Sequence, residues 1–191
     1  AGKVTLVDQW FGAFMHRVKE LSLLEDTMII VTTDHGHLFG EHGMIGKPGS
    51  GHGDATLYQE MAHIPLLVYH PDFKSQAGAR RSALVQPVDY APTTLEAMGT
   101  PPNADNHGRS LLPLMQSPTA KIREYACFGK FGEGIHITDG AWTLAKWPPS
   151  ERNDPLHWYS VEPPRFIVPK GVGAFEREHL RFPVEHVRGP A

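Results

Sequence analysis

Apolar residues at Val4, Val7, Trp10, Phe11, Phe14, Val18 and Leu21 recur every three or four positions, the spacing that gathers side chains on one face of a helix. That stripe is expected to be core rather than a binding surface. Glu25 and Asp26 end the helical pattern, and residues 28–33 (Met-Ile-Ile-Val-Thr-Thr) follow as a short β-rich run without alternation, as in a strand covered on both faces. A second buried strand is expected over 64–70, with Pro65 near its start where it withholds no ladder bond, and a third from about Leu84. Asp89 is placed to cap a helix running through Pro92, Thr94 and Leu95, and Gly99 to close it in the left-handed conformation. A helix feeding buried strands predicts an α/β fold with a mixed, mainly parallel sheet flanked by helices.

Further along, 125–131, 134–138 and 142–147 read as three short strands joined by glycine-containing turns, a small C-terminal antiparallel β-subdomain. Beyond Pro148 repeated prolines interrupt any regular element. The expected organisation is therefore a main α/β portion over 1–118, the small sheet over 119–147 and a Pro-rich irregular tail over 148–191.

Composition narrows the function. With 40% hydrophobic and 20% charged residues and a formal charge of -3, the chain has an ordinary globular balance and no broad attraction for nucleic acid. No apolar run approaches the roughly 20 residues that span a bilayer. The start at Ala1-Gly2-Lys3-Val4 has no signal pattern, and Cys127 as the single cysteine excludes an internal disulfide. Periplasmic, secreted and cytoplasmic locations all stay open, as does the oligomeric state. No G-x-x-x-x-G-K-[ST] or G-x-G-x-x-G loop occurs, which disfavours the common nucleotide-binding enzymes.

The chemistry concentrates in 33–47, directly after the first buried strand, which holds several of the chain's 12 histidines within a long loop reaching Tyr58. Open α/β sheets bind ligands beyond the carboxyl ends of their strands, where Asp34 and His35 fall. A carboxylate and an imidazole suit a divalent cation, and Gly36 lets the chain turn beside it. Taken alone, Asp34 reads more readily as a turn residue bonding nearby backbone amides. Two ligands do not close a metal site, so others are expected to complete it. Lys47, about a loop's length beyond, can bring an ammonium to an oxyanion beside the metal, which favours an anionic ester as substrate.

The strand ending in Thr33-Asp34-His35-Gly36, then Gly40-Glu41-His42-Gly43, Gly46-Lys47 and Ile64-Pro65-Leu66-Leu67-Val68, resembles the C-terminal half of the sulfatase family, within the alkaline phosphatase superfamily. The likeness continues in 87–99, from Pro87-Val88-Asp89 to Met98-Gly99, and in His107-Gly108-Arg109-Ser110-Leu111-Leu112-Pro113. It covers roughly the first 115 residues, and its specificity lies in the order of short pieces.

The resemblance implies an enzyme, a metal-dependent hydrolase of sulfate esters. Asp34 and His35 correspond to two metal ligands, and Lys47 to the lysine contacting the sulfuryl or phosphoryl group and the leaving oxygen. Calcium is the family's usual cation, with manganese or zinc in related phosphonate and phosphate ester hydrolases. A small-molecule or carbohydrate ester is the expected substrate. Three positions depart from the family pattern. No C/S-x-P-x-R motif, the source of the formylglycine nucleophile, occurs, and Cys127 in Ala126-Cys127-Phe128-Gly129 does not match it. The nucleophile is thus expected in a missing N-terminal half, and this stretch alone is expected to be inactive. Residues 48–54 look like an added Gly-rich insertion carrying His52, a candidate substrate contact. His63 stands where the family often has Arg. The alternatives are a phosphonate monoester or phosphodiester hydrolase or phospho-group transferase of the same superfamily, and, in another class, a non-catalytic binding module.

Overall fold

The computed structural model describes residues 2–47, 57–101, 106–129 and 134–147; the Pro-rich stretch expected over 148–191 and His52 lie outside them. The chain divides into one compact unit of Ala1–Phe128 with His136–Ala145 and another of Gly129–Ile135 with Lys146–Ala191. Within the second, the Trp147 indole lies over Gly134, where an added Cβ would come within 2.6 Å of the ring.

The first unit opens with helix α1, Gly2–Glu20, as the periodicity predicts. Its last turn carries Arg17 and Lys19, cations that complement the partial negative charge at a helix C-terminus. The apolar stripe does not form core, however. Of its members only Val18 is buried, while Val7 and Trp10 are 67% and 70% exposed. Among the described residues no layer covers that face.

Strand β1, Ile29–Thr32, pairs with β4, Leu66–Tyr69. The pairing is antiparallel, Ile29 opposite Tyr69 and Thr32 opposite Leu66, which departs from the mainly parallel sheet expected. The chain leaves β1 at its carboxyl end and makes the hairpin β2 (Leu38–Phe39) and β3 (Ile45–Gly46). It then passes through the short helix α2 (Gln59–Ala62) straight into β4. Among the described residues of this connection no helix carries the chain back to the other end of β1, as a parallel crossover needs. Strand β4 is also covered on one face rather than both: Leu66 and Val68 pack on the core, and Leu67 between them is 62% exposed.

That core is Leu111, Leu114 and Ile122, with Leu66, Val68, Ala83, Val85, Tyr90 and Ala120 packed around it. Ala83 and Val85 reach it from irregular chain with a bend at Ala83, so the strand expected from about Leu84 does not form. Helix α3, Tyr90–Ala97, follows Asp89 and ends at Gly99, whose φ of 70° suits the left-handed closing position. Helix α4 is Leu112–Gln116. Strands β5 (Ala126–Gly129), β6 (Ile135–Thr138) and β7 (Thr143–Lys146) take the sequential order of a meander. The α/β class therefore stands.

Asp89 stands at the start of α3 but, against expectation, its side chain makes no capping bond to that helix. Its carboxylate is fully buried and accepts from Gln86 N at 2.7 Å, Arg109 N at 2.8 Å and both terminal nitrogens of Arg123. Its carbonyl accepts from the Thr93 hydroxyl at 2.6 Å, and that hydroxyl oxygen accepts from Leu111 N. Arg81, readable in sequence as a solvated loop residue, instead donates to the Leu114 carbonyl at 2.7 Å and to Gln76. Buried polar groups need such partners, and here they join α3 to the segments around it.

Candidate functional site

The site is assembled where β1 ends. The Thr32 hydroxyl donates to the Pro65 carbonyl at 2.9 Å and lies 3.1 Å from the Tyr90 hydroxyl. A hydroxyl has one proton to give, so with that proton on Pro65 the Tyr90 hydroxyl is the donor of the second bond. The carboxyl end of β1 is thereby tied to the start of β4 and to the first residue of α3.

Two residues on, Asp34 is 83% exposed at its side chain. Its Oδ1 accepts from His35 N at 3.0 Å and from the Thr33 hydroxyl at 3.3 Å. Partial desolvation, the largest single influence, works to raise its carboxyl pKa. The His35 backbone bond, the nearby His35 ring, its own amide and the Thr33 hydroxyl outweigh that effect and hold the carboxyl below its ordinary value of 3.8. Asp34 is thus a carboxylate at any neutral pH.

His35 Nδ1 lies 2.8 Å from the Gly36 carbonyl. A carbonyl only accepts, so Nδ1 carries the proton and in the neutral ring the lone pair is on Nε2. That atom lies 3.6 Å from Asp34 Oδ2. Ligand atoms held about 2.0 to 2.5 Å from one cation sit roughly 3 to 4 Å apart. The pair therefore has the donor chemistry and spacing of two neighbouring ligands, and Nδ1–H on a backbone carbonyl is the usual orienting bond of a metal-binding histidine. Among the described residues no third His, Cys, Asp or Glu joins them in a group able to hold a metal ion.

Gly36 allows this arrangement by close approach. Its N–H donates to the Met61 carbonyl at 2.9 Å, and a Cβ there would fall 1.7 Å from the Glu60 carbonyl oxygen. Helix α2 is thus packed directly on the backbone beside His35.

The β2–β3 hairpin, which the Gly- and His-rich composition conceals in sequence, turns the chain so that Gly46, the residue before Lys47, lies opposite Leu38. Leu38, fully buried, pairs with Gly46, and Phe39 with Ile45. One step further the same register aligns Lys47 with His37, two residues from His35. Gly46 takes a φ of 96°, and a Cβ on it would meet only the His37 ring, at 3.9 Å. Glu41 closes the hairpin end by accepting from Phe39 N at 2.5 Å, the main reason its carboxyl is held below 4.5. Lys47 itself is exposed.

His42 and Glu60 were not singled out by sequence. His42 stacks on Tyr58 with ring centroids 3.5 Å apart and 5° between planes, and its Nε2 lies 3.3 Å from Glu60 Oε2. Only its place in the Gly40-Glu41-His42-Gly43 motif marked it beforehand.

The sulfatase family model matches residues 1–100. The N-acetylglucosamine-6-O-sulfatase of Bacteroides thetaiotaomicron is 32% identical over 114 residues, 60% of this chain and 19% of that protein. Human arylsulfatase K is 36% identical over 107 residues, 56% and 18% of the two chains. The multifunctional alkaline phosphatase superfamily protein PehA of Trinickia caryophylli is 34% identical over 116 residues, 60% and 21%. A solved structure of BT4656 in complex with its substrate D-glucosamine-2-N,6-O-disulfate superposes with a TM-score of 0.64 at 26% identity, over 76% of this chain and 30% of that one. The chain spans about a fifth of the length of the curated relatives it matches. The fold is accordingly alkaline phosphatase/sulfatase-like, in part, and the chain belongs to the sulfatase family.

Proposed function

We propose that this chain carries the metal-binding and leaving-group side of a sulfate ester hydrolase site, whose nucleophile lies outside these 191 residues. The observation that carries the reading is the approach of Asp34 Oδ2 and His35 Nε2 beyond the end of β1, 3.6 Å apart; the hairpin register, which sets Gly46 opposite Leu38, supports Lys47 as the cation of the same site. Asp34 and His35 would hold a divalent cation, calcium in the first place and manganese or zinc as alternatives. That cation would polarise the ester's anionic group. The Asp34 carboxylate stays ionised for this task, and the bond from His35 Nδ1 to the Gly36 carbonyl puts the lone pair of the neutral ring on Nε2. The Lys47 ammonium would neutralise charge developing on the leaving oxygen. His52 stands as a substrate contact on the inserted segment.

The missing nucleophile is supported by the sequence, which has no C/S-x-P-x-R, and by the exposed apolar face of α1, which fits burial against further protein. The substrate class is supported by the relatives that are named for N-acetylglucosamine-6-O-sulfate hydrolysis or solved with a sulfated glucosamine. We infer a sulfated sugar or a comparable small ester. A phosphonate or phosphodiester hydrolase is the second reading, favoured by the 34% identity to a multifunctional superfamily member.

Turnover of aryl sulfate against aryl phosphonate by the full-length protein, with metal analysis, separates the two. Asp34→Ala and Lys47→Ala are each expected to lower hydrolysis by at least about a hundredfold with the fold retained. Near-normal turnover in either variant sinks the site.

A further inference from the structure

His42 occupies a backbone conformation that a side chain rarely adopts, φ 56° and ψ 22°. Such a residue persists only where its surroundings hold it there. The turn around it is closed by Gly40 N to the Met44 carbonyl at 3.0 Å, Gly43 N to the Gly40 carbonyl at 3.2 Å and Met44 N to the Glu41 carbonyl at 3.0 Å. From this turn the imidazole lies flat on Tyr58 and faces the Glu60 carboxylate.

Both partners belong to α2 or its cap. The Tyr58 carbonyl accepts from Met61 N and Ala62 N, which starts the helix. The same helix holds Gly36 through the Met61 carbonyl, with the Glu60 carbonyl against the Gly36 Cα. Helix α2 is thus a common anchor. One contact fixes the backbone beside His35, and the other fixes the hairpin that ends in Lys47.

We propose that His42 is a positioning residue that sets where Lys47 stands relative to Asp34 and His35 by clamping the hairpin to α2 through Tyr58 and Glu60. The proposal rests on the reading of Lys47 given above. Nothing else among the described hydrogen bonds joins this turn to α2. A bare loop lysine would sample many positions, and a displacement of about 1 Å can cost a hundredfold in rate.

The test is a double-mutant cycle in the full-length protein, with p-nitrophenyl sulfate as substrate and the thermal midpoint as fold control. His42→Ala is expected to lower kcat about tenfold to a hundredfold with KM within about threefold of wild type. Tyr58→Phe, which keeps the stack, should stay within about twofold of wild type, and Tyr58→Leu, which removes it, should match His42→Ala. If His42→Ala does not fold, Tyr58→Leu takes its place in the cycle. Combined with Lys47→Ala, the clamp variant should add no further loss, because it acts through the lysine. Multiplicative losses in the double variant overturn the clamp and leave the Lys47 reading intact. A Lys47→Ala enzyme of near-normal rate overturns the Lys47 reading and the clamp with it.

Discussion

Asp89 and Arg123 meet in a two-pronged ion pair sealed from solvent, with Arg123 Nη1 2.6 Å from Oδ2 and Nη2 2.5 Å from Oδ1 of a carboxylate that is 0% exposed. Fork-to-fork geometry makes such pairs strong and directional. The same two oxygens accept the Gln86 and Arg109 backbone amides, so the carboxylate ties the start of α3 to two later segments. Removing one partner strands the other's charge in the interior.

Arg123→Ala is therefore expected to destabilise the protein by about 3 to 5 kcal/mol, and Arg123→Lys by less while still losing one prong. Urea denaturation of the variants measures this. A loss under about 1 kcal/mol for Arg123→Ala would show that the pair is not the tie described.

Gly36 and Gly12 are both glycines, yet opposite outcomes are expected from alanine. A Cβ at Gly36 would fall 1.7 Å from the Glu60 carbonyl oxygen, a backbone atom unable to swing aside, whereas at Gly12 it meets nothing within 4 Å. Gly36→Ala should cost about 1 to 3 kcal/mol and push α2 off the Asp34–His35 turn. Gly12→Ala, within α1, should stabilise by about 0.5 to 1 kcal/mol. Thermal melts give the stability order. Manganese titration followed by electron paramagnetic resonance should show weakened binding for Gly36→Ala alone.

These cases show what could be read in the sequence. The helix over the first 20 residues and the strand before Asp34 follow from local rules of spacing, and both are present, whereas Asp89, expected to cap α3, makes no side-chain bond to that helix and instead accepts from Gln86 N of the turn before it. The Asp89 partner could not be read, because Arg123 lies 34 positions away in a stretch with no pattern of its own. The β2–β3 hairpin escaped because strands of two residues carry no alternation to detect. The expectation that α1's stripe is core failed for another reason: periodicity reports which face is apolar, not what covers it. The Asp34–His35 turn could be placed at the end of β1 from its residue types, while the α2 packing beside it depends on Gly36 lacking a side chain.

Asp139 supplies a pH-dependent element at the turn between β6 and β7. Its Oδ1 accepts from Trp142 N and Ala141 N, each at 2.8 Å, and these bonds hold its carboxyl below the ordinary 3.8 against a smaller opposing desolvation. A carboxylate whose folded pKa is depressed contributes its stability above the unfolded value, and loses it as pH falls through the folded one. The turn should accordingly be intact at pH 5 and loosen only as pH falls through the folded value, which lies below 3.8. The Ala141 and Trp142 amide resonances are expected to titrate together with a midpoint below 3.8. In Asp139→Asn, which keeps the acceptor oxygen, that titration should vanish. A midpoint above 3.8 would contradict the assigned cause.

The α1 face offers the remaining prediction. Val4, Val7, Trp10 and Phe14 are all more than half exposed along one side of a 19-residue helix, and Phe11 and Phe14 already touch at 6.4 Å. A contiguous apolar strip of this kind associates or binds apolar probes when water is its only neighbour. The 191-residue chain on its own should therefore bind an anilinonaphthalene dye and sediment as a concentration-dependent associating species. Trp10→Glu should reduce both while leaving its helix content unchanged, because the substitution falls on a surface position of a good helix former. In the full-length protein the direction should reverse: if further protein buries the stripe, Trp10→Glu places an unpaired charge in that interface and lowers stability by several kcal/mol. Equal, small effects in both settings would mean that nothing covers α1, and would remove one of the two supports for a nucleophile located outside this chain.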